Sequence, residues 1–245
     1  QILAASIDLP VQTISRFNES ATWHYTRIEE GIQYSDISIR GTGGILIDSR
    51  TSLRGGFNFD NLLMAVAICT ESGIDPIDIA TLIPNLVGPV GRLEPVHLGQ
   101  NFTALVDYAH SPDAVARVLS ATREMTDKKV IGVLGCGGDR DSSKRNLMGQ
   151  ELSLRSDIAI FTSDNPRSEK PEMILEQMTS GLKISSPSAI VQDRAEAIQL
   201  AVNLAQPGDV VIVMGKGHER GQEIQGVIHP FDDRLVLAQA IEAKK

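Results

Sequence analysis

From residue 103 onward, apolar runs that suit buried strands alternate with helical stretches, and this alternation constrains the fold more than any other feature. The runs are Thr103–Val106, Val130–Leu134, Ile158–Phe161, Ala189–Val191 and Val210–Met214. Helical spacing recurs over Asp113–Glu124, Lys144–Leu154, Pro171–Leu182, Ala195–Ala205 and Asp232–Ala243. Strand and helix in turn, at intervals of about 25 residues, imply βαβ units. The expected fold class is α/β: a mainly parallel sheet with right-handed crossovers and helices on both faces.

The first 55 residues have another texture. Thr22–Ile28 and Ile32–Ile39 alternate polar and apolar residues around Glu29-Glu30-Gly31, and a glycine-rich turn over 41–44 leads into Ile45–Asp48. That pattern predicts an antiparallel patch. A helix over Asn61–Ser72 should stop at Gly73, and another over Ile77–Ile83 follows Pro76. Gly88-Pro89 and Gly91 interrupt the pattern. A boundary is therefore expected near residues 90–98, separating domains 1–95 and 96–245.

Four polar clusters each follow a strand: Asp107-Tyr-Ala-His110, Gly135-Cys-Gly-Gly-Asp-Arg-Asp141, Ser163-Asp-Asn-Pro-Arg167 and Gly215-Lys-Gly-His-Glu219. In an open parallel sheet, ligands bind outside the carboxyl ends of the strands, so the four should share one edge. Glycines opening a helix after Gly135 let backbone N–H groups approach an anion, or simply make a tight βα turn. Asp164-Asn165-Pro166-Arg167 is an ordinary turn former, yet its arginine fork and neighbouring aspartate suit the two charges of an amino acid. His110, His218 and Lys216 fall within the clusters and can line a site.

Other chemistries lack their signatures. No G-x-G-x-x-G is completed, and Gly217 stands where a Walker A loop needs Ser or Thr after the Gly215-Lys216 pair. No G-x-S-x-G elbow occurs. No histidine has a partner at i+3 or i+4, so no metal site is expected. A net charge of −8 argues against nucleic acid as a partner. No apolar run approaches the ~20 residues of a membrane helix, and no signal peptide is expected at Gln1. Cys69 and Cys136 are too few for a disulfide framework, which fits a reducing, cytoplasmic setting.

The clusters, in this order and together with Lys144-Arg145 and Asp193-Arg194, closely resemble the Mur ligase family, in the branch that adds meso-diaminopimelate. Upstream, Gly56–Asn61 and Gly91–Glu94 are similar to late elements of that family's central domain. The resemblance implies a Rossmann-like C-terminal domain with a mainly parallel sheet, preceded by the tail of a central ATPase domain. It implies ATP and Mg2+ as cofactors, and meso-diaminopimelate and the UDP-N-acetylmuramoyl dipeptide as small-molecule substrates of a monomer. Arg140, Asp164, Asn165, Pro166, Arg167, Gly215 and Glu219 would hold the amino acid. Asn61 would read adenine, Arg92 the nucleotide and Asp107 the ribose. A lysine-adding ligase, a folylpolyglutamate synthase relative and a non-catalytic amino-acid-binding module are the alternatives.

The family's phosphate loop, its modified magnesium-binding lysine and its UDP-binding domain have no counterpart in these 245 residues. The resemblance places no catalytic residue in these 245 residues. Assayed alone with magnesium, ATP and both substrates, the chain is expected to release no ADP above background, because nothing replaces the loop that cradles the β- and γ-phosphates. A coupled assay showing turnover by this chain alone would overturn that expectation.

Overall fold

The computed structural model describes residues 11–31, 34–53 and 55–244, which divide into two units, Gln1–Val87 and Gly88–Lys245. In the first unit, β1 (Ile14–Ser15), β2 (Trp23–Glu30), β3 (Ser35–Arg40) and β4 (Leu46–Thr51) lie side by side in that order. β2, β3 and β4 are antiparallel, as their alternation implies, while the short β1 joins β2 in parallel. Period-two spacing gathers Trp23, Tyr25, Ile37, Ile39 and Ile47 into a core that α1 (Gly56–Glu71) closes with Phe59, Leu62, Leu63 and Val66. The Tyr25 hydroxyl donates to the Phe59 carbonyl at 2.8 Å, and Trp23 Nε1 donates to Glu71 at 3.0 Å. α2 (Pro76–Leu82) starts with proline behind an Asp75 cap that accepts the Ile77 N–H at 2.8 Å.

Two expectations shift here. α1 begins at Gly56 rather than Asn61, because Phe59 extends the buried stripe one turn earlier. The strand expected over 32–39 is described from Ser35 to Arg40; Ile32 and Gln33 lie outside the described residues.

The second unit carries β5 (Glu94–Pro95), β6 (Thr103–Asp107), α3 (Pro112–Glu124), β7 (Val130–Cys136), α4 (Ser143–Arg155), β8 (Ile158–Ser163), α5 (Pro171–Thr179), β9 (Ala189–Ile190), α6 (Arg194–Leu204) and β10 (Val210–Met214). A hairpin of β11 (Gly221–Ile224) and β12 (Val227–Pro230) and the helix α7 (Asp233–Lys244) complete it. The six-stranded sheet has the order β5-β6-β10-β7-β8-β9 and is parallel except for β5. β7 and β8 are neighbours with Val133 opposite Ile160, and every residue of both strands is buried. Residues 88–95 belong to this unit, a few positions before the expected 95/96 step. β5 pairs with β6, and the Asp107 carboxylate accepts the Leu93 N–H at 2.8 Å.

Handedness decides which helix covers which face. The crossovers β6→β7, β7→β8 and β8→β9 all advance in one direction, so α3, α4 and α5 pack together on one face. The step from β9 back to β10 runs the other way, and a right-handed crossover must then cross the opposite face. There α6 packs with α7, and Ala197, Ile198, Ala201, Val202, Leu237 and Ile241 fill the core against the sheet. β10 enters between β6 and β7, so the order reverses there and a crevice opens at the strands' carboxyl ends. Among the described residues, no helix is long and apolar enough to cross a membrane.

One ion pair ties this edge together. Arg194, the first residue of α6, forms two bonds to Asp233, the first residue of α7, at 2.8 and 2.7 Å, and both side chains are fully buried. The same guanidinium donates to the carbonyls of Ser163 and Met214, the last residues of β8 and β10. Removing one partner leaves a buried charge uncompensated, so Asp233→Ala should cost about 3–5 kcal/mol. The double variant Arg194→Met/Asp233→Leu should recover most of that loss. Urea unfolding measures both, and a single-variant loss under about 1 kcal/mol would refute the assignment.

Candidate amino-acid site

Loops after β6, β7, β8 and β10 surround a cavity of about 430 Å³ in the second unit. Of the residues expected to hold an amino acid, Arg140, Asp164, Asn165, Arg167, Gly215 and Glu219 line it together, and His110 joins them. Pro166 is buried behind the wall, where its carbonyl accepts the Glu169 N–H at 3.0 Å and closes the turn. Tyr108 also lines the cavity, its ring 4.6 Å from that of His110 and 5.1 Å from that of His218.

A polar floor underlies the cavity. Lys216 is fully buried, and its ammonium donates to Asn165 Oδ1 at 3.0 Å, the Gly221 carbonyl at 2.6 Å and Glu219 Oε2 at 3.3 Å. Asn165 Nδ2 donates to the same Glu219 oxygen at 2.7 Å. Burial pushes the Asp164 carboxyl up from its ordinary range, while Arg194 and Lys216 pull it down. Gly215 leaves that carboxylate uncovered: a Cβ there would stand 2.5 Å from Asp164 Oδ2, on a backbone at φ +114°. The buried Cys136 thiol is pushed up to about 12, chiefly by desolvation, so it is no thiolate nucleophile at neutral pH.

Arg167 sits on the wall with a left-handed backbone, φ +52°. The hairpin holds it there. Its N–H donates to the Glu223 carbonyl at 2.9 Å, and its carbonyl accepts from Gln225 at 2.7 Å. Its guanidinium donates to the Gly138 carbonyl at 2.7 Å and pairs with Glu223 at 3.3 Å. Arg140 stands exposed at the mouth. The cavity thus sets Arg140 and Arg167 against Asp164 and Glu219, a charge pattern that matches a zwitterion.

A second pair escaped the sequence reading. Arg145, almost wholly buried on α4, grips both oxygens of Glu169 at 2.8 and 2.7 Å and donates to Gln177 and to the Gly137 carbonyl. Glu169 also accepts the Asp139 N–H at 2.6 Å. This clamp joins the loops after β7 and β8. Its only signal in the sequence was the Lys144-Arg145 dipeptide; the carboxylate partner lies 24 positions away.

The three residues expected at a nucleotide are not gathered in this cavity. Arg92 is exposed, with its guanidinium 5.2 Å above the Tyr108 ring. Asp107 is buried, and its two oxygens accept the backbone N–H groups of Leu93 and Ala109, both at 2.8 Å. Asn61 lies on α1 of the first unit with its side exposed. His218 is exposed beside Tyr108. Among the described residues no group of three or more His, Cys, Asp or Glu could hold a metal ion.

The family described as Mur ligase, glutamate ligase domain, matches residues 91–217. The UDP-N-acetylmuramoyl-L-alanyl-D-glutamate–2,6-diaminopimelate ligase of Streptomyces coelicolor is 45% identical over 247 residues, covering 98% of this chain and 49% of its own length. The ligase of the same name from Geobacillus thermodenitrificans is 46% identical over 196 residues, covering 80% of this chain and 40% of its own. A solved structure of a ligase so named aligns with a TM-score of 0.75 at 35% identity, over 95% of this chain and 47% of that one. A folylpolyglutamate synthase of Mycobacterium tuberculosis, complexed with ADP and AMPPCP, shares the fold alone, at 19% identity and a TM-score of 0.60 over 80% of this chain and 46% of that one. The chain spans about half the length of the curated relatives it matches.

The Arg145 clamp makes a pH prediction. Hydrogen bonds from Arg145, then from the Asp139 N–H, hold the Glu169 carboxyl at about 2, below its ordinary 4.5. A depressed folded value stabilises above the unfolded one, and the gain is lost as pH falls from 4.5 towards 2. The stability advantage over Glu169→Gln should stay constant above about pH 5 and shrink below it. Urea midpoints taken from about pH 6 to about pH 3 test this, and a difference independent of pH would sink it.

Proposed function

We infer from one premise, that this chain belongs to the Mur ligase family, that its second unit receives meso-diaminopimelate and presents the amine for peptide-bond formation. The observation that carries this reading is the cavity pairing Arg140 and Arg167 with Asp164 and Glu219. The names of the relatives support it, since they are ligases of UDP-N-acetylmuramoyl-L-alanyl-D-glutamate and 2,6-diaminopimelate. Residues 1–95 would then be the tail of an ATP-binding domain and 96–245 the amino-acid domain, working in the cytoplasm. Asn61, Arg92 and Asp107 are proposed for the nucleotide side, with Asp107 acting through the loop it holds around Arg92.

The chemistry follows from that assignment. ATP phosphorylates the D-glutamate carboxylate, giving an acyl phosphate and ADP. The amine nitrogen attacks the carbonyl carbon, a tetrahedral intermediate forms, phosphate leaves and the nitrogen gives up a proton. What this chain adds is position. Opposed charges on fixed loops hold both ends of the amino acid, so that its free amine arrives as a near-attack conformer. Because the described residues offer magnesium no clustered donor set, no step is assigned to the ion in this chain.

Specificity rests on Arg167. Meso-diaminopimelate and L-lysine differ by one carboxylate, and a guanidinium fork is the matching group. Arg167→Ala should weaken meso-diaminopimelate binding about 10–150-fold, equivalent to roughly 1.5–3 kcal/mol, and leave L-lysine binding unchanged. Calorimetry with both ligands on this chain reads the ratio, and Arg167→Lys should restore only part of it. If both affinities fall together with the melting temperature, Arg167 is only a staple between Gly138 and Glu223.

A further inference from the structure

Lys216, expected to line the site, is instead fully buried beneath the cavity and outside its lining. A buried ammonium is costly unless its three protons are matched. Here they meet three acceptors from three places: Asn165 after β8, Glu219 after β10, and the Gly221 carbonyl that opens the hairpin. The first bond also orients the Asn165 amide. With Oδ1 committed to Lys216 and to the Glu223 N–H, Nδ2 must turn to Glu219. Asn165 and Glu219 therefore have little rotational freedom left before any ligand arrives.

Charge gives the lysine a second task. The carboxyl groups of Asp164, Glu219 and Asp233 meet the Arg194 guanidinium and the Lys216 amine at this floor. Arg194 is spent on Asp233. Arg167 is matched by Glu223 on the wall, and Cys136 stays a neutral thiol. With Arg140 exposed at the mouth, that leaves two carboxyl groups at the floor, Asp164 and Glu219, beside the single amine of Lys216. We propose that Lys216 is a positioning residue: it locks Asn165 and Glu219 and cancels one carboxylate charge, so the floor presents one open negative charge for one ligand ammonium. This deepens the amino-acid reading above and rests on it only for the identity of the ligand.

The test separates the two. In the ligand-free chain, carbon-detected NMR follows the Asp164 and Glu219 carboxyls in parent and Lys216→Met. Loss of the neighbouring cation should raise their titration midpoints by about one unit or more. Unmoved midpoints in a folded Lys216→Met overturn the proposal. Calorimetry near the shifted midpoints should then show meso-diaminopimelate bound at least ~10-fold more weakly by the variant, with proton release that a merely structural lysine would not cause. Weaker binding without linked protons also overturns the charge role. If the parent itself fails to bind meso-diaminopimelate, the ligand assignment falls while the NMR result still decides the role of Lys216. Should Lys216→Met not fold, Glu219→Gln probes the same charge count from the other side. There the Asp164 midpoint must fall as its like-charged neighbour is removed, and an unmoved midpoint refutes the count.

Discussion

Everything at the working edge of the sheet hangs on the Arg194–Asp233 pair. Parallel strands end with carbonyls that have no further ladder partner, and α6 and α7 both begin where those strands stop. A cation at the first turn of a helix works against the helix dipole, so Arg194 is a poor choice for α6 on local grounds. Its side chain instead points to the carbonyls of Ser163 and Met214, and Asp233 supplies the countercharge from the start of α7. Asp193 caps α6 by accepting the Glu196 N–H at 2.9 Å. Two strands and two helices are thereby fixed at one point, and the next residues on the strands are Asp164 and Gly215.

Electrostatics at the cavity follow from that adjacency. Asp164 inherits a buried position, and burial alone would favour its neutral form. Arg194 behind it and Lys216 beside it counter only part of that cost, so the carboxyl stays above its ordinary range. The closeness of Gly215 to the carboxyl admits no side chain, so Asp164 keeps its place in the cavity lining. An ion pair whose first effect is on stability thus also eases the cost of charge on a carboxyl that lines the cavity.

Much of this was legible in the sequence, for reasons that can be named. Val130–Leu134 and Ile158–Phe161 are apolar throughout because both faces of their strands are covered, and they emerge as adjacent parallel strands. The four clusters were readable because each follows its strand directly, and twelve of their residues line one cavity. Long-range pairs were not readable. Arg194 and Asp233 lie 39 positions apart and Arg145 and Glu169 lie 24 apart, and neither separation leaves a local pattern. The hairpin was missed for another reason. Its strands are half-buried on β11 and exposed on β12, with no alternation to detect. Its turn, Gln225-Gly226 with φ +50° and +76°, puts glutamine where Asn or Asp gives the usual signal.

That overlooked hairpin shapes the site as much as the loop it supports. A non-glycine residue at φ +52° costs on the order of 1 kcal/mol or more, so Arg167 would not hold that conformation in an isolated turn. Two backbone bonds to β11 and its turn, with the Glu223 pair, offset the strain and continue the strand pairing into the loop. Gln222 adds a bond from its Nε2 to the Asp164 carbonyl at 2.7 Å, so the same short strand anchors both ends of the Asp164–Arg167 segment. The guanidinium is held at the cavity wall by the Gly138 carbonyl and Glu223, so its ordering entropy is spent on folding. A charge count would make any surface arginine equivalent. The hairpin distinguishes this one, because it fixes where the fork is held.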